Sequence, residues 1–373
     1  MLVSGNFFNL LDQYYALEPK VDLIITEMRN TRYRQPAWYR YVAGFAGPKP
    51  VVVVENPYGG VVPEMVADLK VGKGYDRFRM SLYEAAALGA NMSVPYGAWL
   101  GSVEQDAFYP PHELCVEIQD FLAGNEPLFS RQTGNEVAVV YSIESEFQRA
   151  ARRDQVANDP LNLASGGAIP FWNMCAALCD ATQPYDVLFF PDGDLRKDAL
   201  SPGDLGQYRT VILPDCAVLT EAQARLLHDI LKAGARLLVL GELGTNLAPE
   251  VLVPILDHPG TRRRPITPAI SVQDVLDEPK VRITPNRDLM INVQRVEAGV
   301  AVHLIRYDFD AEQDRTLPLP ELTIELRLPE QFTRLSLHSP GGEISGGLES
   351  AGLWHTLQLR DVPLYSVALL EPA

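Results

Sequence analysis

Two glutamates stand where chemistry could be done. Glu27 closes the run Val21-Asp22-Leu23-Ile24-Ile25-Thr26, and Glu55 follows the four valines Val51–Val54, 28 residues further on. A charge placed directly after a β-branched run is costly to bury, by several kcal/mol, unless it is paired or serves a site. Side chains at the C-terminal ends of parallel strands converge on one crevice. Two carboxylates there can divide acid/base and nucleophile roles, the division of labour that cleaves glycosidic bonds. The bland alternative is that each glutamate opens a solvated loop or pairs with Arg29 or Arg79.

Their neighbours suit a pocket for hydroxylated rings. Asn6 ends the preceding apolar run, Tyr58 and the Gly59-Gly60 turn follow Glu55, and Tyr96 and Trp99 follow the last strand of the series. Asparagine and arginine hydrogen-bond hydroxyls and aromatic faces stack on sugar rings, so Asn6, Arg29, Tyr58, Tyr96 and Trp99 are the expected substrate contacts. Trp38 and Tyr39 read as helix packing.

Other chemistries fit poorly. Cys175 and Cys179 share a helix face, but no His or second cysteine pair completes a metal set, so buried thiols are expected and no metal. Cys216 follows a strand as a nucleophile would, yet Leu213-Pro214-Asp215-Cys216-Ala217-Val218 lacks the glycines of a strained nucleophile turn. Gly72-Lys73-Gly74 and Gly166-Gly167 lack phosphate-loop spacing, and His228, His303, His338 and His355 are dispersed singly. No cofactor is implied.

The elements that must position the glutamates alternate strand and helix. Strands are predicted at 2–6, 21–27, 51–55 and 90–94, with helices over Phe8–Leu17, Pro36–Phe45, Phe78–Leu88 and His112–Leu122. Short connections between such units imply a parallel sheet with right-handed crossovers. Residues 135–250 repeat the alternation in the manner of an open, flavodoxin-like doubly wound sheet, with strands at Val137–Ser142, Val187–Phe190, Thr210–Leu213 and Arg236–Leu240. Thr220-Glu221 starts a helix there and Gly234 stops it. From 260 to 373 short alternating runs between Pro and Gly predict an antiparallel β-sandwich. Arg262-Arg263-Arg264 reads as a solvated connector.

Composition bounds the partners. The 373 residues carry 32 basic and 48 acidic side chains, a net charge of −16. Nucleic acid and anionic membranes both favour basic patches, so neither is expected as a partner. No apolar run reaches the ~20 residues that span a bilayer. Four cysteines are too few for a disulfide framework, which leans toward a cytoplasmic location. The chain opens abruptly on a strand, and further sequence upstream is expected.

A resemblance joins these parts. Tyr208-Arg209-Thr210-Val211-Ile212-Leu213-Pro214, Leu219-Thr220-Glu221-Ala222-Gln223 and Ala233-Gly234-Ala235-Arg236-Leu237-Leu238-Val239-Leu240-Gly241 resemble the trimerisation domain of family 42 β-galactosidases. That domain is similar to a class I glutamine amidotransferase fold without its cysteine turn. The resemblance implies that residues 1–130 are the last four units of a (β/α)8 barrel and that 260–373 are the closing sandwich. Val302-His303-Leu304-Ile305-Arg306-Tyr307-Asp308 is similar to an "HL-NY" strand of such sandwiches, with Arg306 in place of Asn. It further implies a nucleophile at the end of the seventh barrel strand, which maps onto Glu55. The implied acid/base sits on a fourth strand, and the series here holds only four strands, corresponding to the fifth to eighth. Glu27 is the remaining candidate for that role. The expected activity is hydrolysis of O-glycosidic bonds; the resemblance also implies a homo-oligomer, with a trimer as the form its trimerisation domain suggests. The alternative is a non-catalytic carbohydrate-binding or assembly protein. A half barrel also leaves sheet edges at 2–6 and 90–94 that invite pairing with another chain.

Overall fold

A computed structural model describes residues 1–8, 11–27, 34–54, 67–92, 111–152, 170–267, 271–276 and 278–372. The first sheet holds β1 (Ser4–Asn6), β2 (Leu23–Glu27), β3 (Val51–Val54) and β4 (Asn91–Met92), all parallel and ordered β1-β2-β3-β4. Strand order that follows chain order means that every crossover advances in the same direction, as around a barrel wall; a doubly wound sheet reverses. Among the described residues this sheet does not close. The segment predicted as a helix over Phe8–Leu17 is a 3-10 stretch, Leu11–Lys20. Helices α1 (Pro36–Ala46), α2 (Tyr75–Ala87) and α3 (His112–Gly124) follow.

Pro36 starts α1 because its fixed φ and missing N–H suit a first turn, and Gly47, at φ +59°, ends it. Helix α1 buries Trp38, Tyr39, Val42 and Phe45, the 3- and 4-residue spacing of a core-facing stripe.

The middle sheet is built from β5 (Val137–Ser142), β6 (Asp186–Phe190), β7 (Thr210–Pro214), β8 (Arg236–Leu240) and β9 (Thr261–Arg264), all parallel, in the order β6-β5-β7-β8-β9. Counted within the unit this is 2-1-3-4-5, the flavodoxin-like order. Its longer described helices are α4 (Ile143–Arg152), α5 (Pro170–Asp180), α6 (Glu221–Lys232) and α7 (Pro249–Leu256). Thr220 and Gln223 form a reciprocal capping box at the start of α6, each side chain 3.0 Å from the other's backbone N. Strand β5 is buried on both faces. Val137, Val139 and Tyr141 join one core, and Ala138 and Val140 another. The arginine run is not a connector: Thr261–Arg264 pairs with β8 as an exposed edge strand.

Two four-stranded antiparallel sheets complete the chain. One is β10 (Val281–Thr284), β13 (Leu319–Arg327), β16 (Trp354–Val362) and β15 (Ser345–Ala351). The other is β11 (Leu289–Val296), β12 (Gly299–Arg306), β17 (Tyr365–Glu371) and β14 (Arg334–His338). Val293, Val302, Leu304, Ile324, Leu326 and Leu357 fill the space between them. The outer face of β11, β12 and β17 is buried too: Met290, Ile305, Tyr365 and Val367 share a core with Tyr83 of α2. The Tyr83 and Tyr365 rings stack at 4.6 Å.

His303 lies in this doubly covered sheet and is fully buried. Its Nδ1 is 2.8 Å from the Tyr365 hydroxyl and its Nε2 3.1 Å from Leu128 O, so the neutral ring accepts from one and donates to the other. Burial pushes its pKa down to about 4 from an ordinary 6.5. Below pH 6.5 the unfolded chain takes up this proton and the folded one does not. Stability is therefore lost as pH falls through that window, by about 3 kcal/mol. His303→Gln, which keeps a donor and an acceptor, is expected to flatten that part of the stability–pH curve in urea titrations at pH 7 and pH 4.5. An unchanged slope would assign the acid sensitivity elsewhere.

Helix α1 lies against β6, with Gly44 directly on the strand. A Cβ at Gly44 would fall well inside contact distance of Val187 O and 2.9 Å from Val187 Cβ. Local propensity favours alanine over glycine inside a helix by roughly 1 kcal/mol. The close approach reverses that sign, because backbone cannot yield as a side-chain end can. Gly44→Ala is expected to destabilise by about 1–3 kcal/mol, read as a lowered Tm. A raised Tm would show that helix and strand can separate freely.

Candidate active site

The parallel register brings Asn6 and Glu27 to the same rim of the first sheet. Asn6 stands opposite Ile25, and Glu27 opposite Val54. Asn6 Nδ2 donates to Glu27 Oε1 at 3.0 Å, while Asn6 Oδ1 accepts from Phe8 N at 2.8 Å. The amide is thus held at both ends, which fixes which atom faces the carboxylate. Phe8 O in turn accepts from Glu27 N at 3.1 Å and from the Thr26 hydroxyl. Glu27 is nearly buried, at 9% exposure, whereas Asn6 is open to solvent. A carboxylate at the C-terminal tip of a parallel strand, oriented by the neighbouring strand's tip, is suitably placed for acid/base work on a ligand at that rim.

Of the other expected site residues, Glu55, Arg29, Tyr58, Tyr96 and Trp99 lie outside the described residues. Arg79, one of the two arginines considered as an ion-pair partner for the glutamates, is engaged elsewhere. It binds Asp76 at 2.9 Å and Glu117 at 2.7 Å. Trp38 and Tyr39 are buried packing, at 5% and 0% exposure. Phe8 and Thr26 were not singled out in the sequence. Their part in the rim comes from hydrogen bonds across strands 18 residues apart, which no local pattern encodes.

The middle sheet has its own crevice position, at the C-terminal ends of β5 and β7 where the strand order reverses. In the turn after β7, Asp215 adopts a left-handed φ of +53° without a glycine. Aspartate tolerates this region better than most residues. Asp215 Oδ1 accepts from Glu242 N at 3.1 Å, and its Oδ2 accepts from Arg149 Nη2 at 3.0 Å. Arg149 also pairs with Glu146 at 2.5 Å. Ser142 Oγ donates to Val218 O at 3.1 Å, and Ser145 Oγ accepts from Val218 N at 2.9 Å. The chain's own groups therefore tie the ends of β5 and β7 together among the described residues. Cys216 beside it is 1% exposed, and burial pushes its thiol up, away from the reactive thiolate. Cys175 is likewise buried with its thiol pushed up. Among the described residues, no three His, Cys, Asp or Glu side chains gather as a metal set, and no helix is long and apolar enough to cross a membrane.

No protein-family model matches the chain, and no curated protein matches it in sequence. Solved structures do match in fold. An α-L-fucosidase, isoenzyme 2 from Paenibacillus thiaminolyticus, superposes with a TM-score of 0.62 at 14% identity, over 96% of this chain and 66% of its own. A catalytic mutant of a family 42 β-galactosidase from G. stearothermophilus gives 0.55 at 10% identity, over 100% and 64%. The β-galactosidase of the haloarchaeon Halorubrum lacusprofundi gives 0.54 at 14%, over 100% and 64%. The chain thus spans about two thirds of the length of these proteins. At such identities the likeness is one of fold, and the fold is glycoside hydrolase-like.

Proposed function

We propose that the chain is a glycoside hydrolase of β-galactosidase-like type, with Glu55 as nucleophile and Glu27 as acid/base. The observation that carries this reading is the Asn6–Glu27 pair at the C-terminal rim of the first sheet. There Glu27 stands opposite Val54, the residue before Glu55. In the first step a Glu55 oxygen bonds to the anomeric carbon as the glycosidic C–O bond breaks, and the leaving oxygen takes the Glu27 proton. In the second, Glu27 removes a proton from water, whose oxygen displaces Glu55 and releases the sugar. Asn6 keeps the Glu27 carboxyl turned toward that work. Arg29, Tyr58, Tyr96 and Trp99 complete the proposed sugar contacts, and self-association through the middle unit belongs to the same proposal. No step needs a cofactor.

The fold neighbours include one α-fucosidase and two β-galactosidases, so a panel of aryl α-fucosides and β-galactosides is the direct test. Turnover of an aryl β-galactoside in preference to the α-fucoside is expected. Turnover of neither, with sugar binding retained, would favour a non-catalytic carbohydrate-binding protein.

A further inference from the structure

Phe8 is held in a conformation that a bulky residue rarely adopts. Its φ is +50°, in the left-handed region, although it is neither glycine nor asparagine. Three hydrogen bonds hold it there: its N donates to Asn6 Oδ1, and its O accepts from Glu27 N and from the Thr26 hydroxyl. This conformation wins the ring little burial. Phe8 remains 45% exposed, while its neighbour Phe7 turns inward to 2%. The described partner of the Phe8 ring is Tyr14, a half-buried ring 6.3 Å away at 41°, itself edge-on to Phe7 at 6.5 Å. Strain spent on exposing an aromatic ring is not a stability device. Strained backbone that the surroundings over-determine clusters where ligands are held.

We propose that Phe8, backed by Tyr14, is the platform on which the C–H face of the substrate's sugar ring stacks beside Glu27. The proposal rests on the glycosidase reading above and adds to it the aromatic contact that orients the ring. The same Asn6 amide that holds the Glu27 carboxyl also holds the Phe8 backbone, so platform and acid/base are set by one side chain. A sugar with a continuous C–H face, such as a galactoside, offers the apolar area that an open ring of this size can cover.

The test compares Phe8→Asn, Phe8→Trp and the unaltered chain, using methyl β-thiogalactoside, whose C–S bond resists hydrolysis, as the binding probe in isothermal titration and Tm as the structural readout. Asparagine accepts the left-handed backbone and removes the ring. Phe8→Asn is expected to weaken binding about tenfold, equivalent to about 1.4 kcal/mol, with Tm unchanged or raised as strain is relieved. Phe8→Trp is expected to retain affinity. Equal affinity of Phe8→Asn and the unaltered chain would overturn the platform, as would a marked fall in Tm showing that the ring is packing. If the unaltered chain forms a covalent adduct at Glu55 while Phe8→Asn binds undiminished, the platform fails and the glycosidase reading stands. If the unaltered chain neither binds galactoside nor forms that adduct, both fail together.

Discussion

Arg40→Met is expected to cost about 3–5 kcal/mol, the range for leaving buried partners of a charge uncompensated. Arg40 leaves α1 and is only 5% exposed. Its Nη1 donates to Tyr185 O and, at 3.0 Å, to Asn292 Oδ1; its Nη2 donates to Ile291 O at 3.1 Å. The guanidinium lies 4.8 Å from the centroid of the Tyr185 ring. One side chain from the first unit therefore satisfies acceptors on the middle unit and on the sandwich. Methionine fills similar volume but donates nothing, so two buried carbonyls lose a donor, at about 1–3 kcal/mol each. Urea unfolding of Arg40→Met beside Arg40→Lys measures this, with lysine recovering part of the loss. A loss under about 1 kcal/mol would mean that freeing a buried charge cancels the broken bonds.

None of that junction was legible in the sequence, and the reason is physical. An arginine four residues into an amphipathic helix has the pattern of a surface residue until another unit covers it. What the sequence did carry was whatever burial on both faces writes as a continuous apolar run: Leu23–Glu27, Val51–Val54, Val137–Ser142 and Leu289–Val296 all form strands. Two strands without such a run were missed. Ser345–Ala351 has two glycines and one large apolar residue, and Thr261–Arg264 has none; both are exposed edge strands. Their place comes from pairing with β16 and β8. The left-handed turn at Asp215 was equally invisible in the sequence. Glycine is the usual bearer of a positive φ, but here Arg149 and Glu242 N hold an aspartate in that conformation.

Replacement of the two strand-end glutamates gives the other large expected effect. Glu55→Gln is expected to lower kcat on aryl β-galactosides by about a thousandfold or more, because the amide cannot form the glycosyl ester. Glu27→Gln has a different signature. General acid catalysis contributes roughly 10²–10⁴-fold, and it matters most when the leaving oxygen is a poor one. Glu27→Gln is therefore expected to abolish turnover of alkyl galactosides while sparing the first step with dinitrophenyl galactoside, which needs no proton. Equal losses on both substrates would remove the acid role from Glu27. Asn6→Ala is expected to show a weaker form of the Glu27 pattern, since it releases Oε1 without removing the carboxyl.

The site was legible as residue types and only partly as geometry. A glutamate ending an apolar strand marks a rim position, since the apolar run stops there. That Asn6 reaches Glu27 depends on the parallel register between strands 21 residues apart, which the crossover sets and no spacing reveals. The sequence predicts a helix over Phe8–Leu17. In the structure Phe8 takes a left-handed φ, and the described 3-10 segment runs Leu11–Lys20.

The central claim is that this rim cleaves glycosides through a covalent intermediate on Glu55. A dinitrophenyl deoxyfluoro-β-galactoside has a leaving group that departs without acid help, and its fluorine slows hydrolysis of the intermediate. Incubation with the full chain followed by peptide mass mapping should find one fluorogalactosyl group on the peptide holding Glu55, and none in Glu55→Gln. An unmodified chain under those conditions, or label on any other residue, would contradict the account.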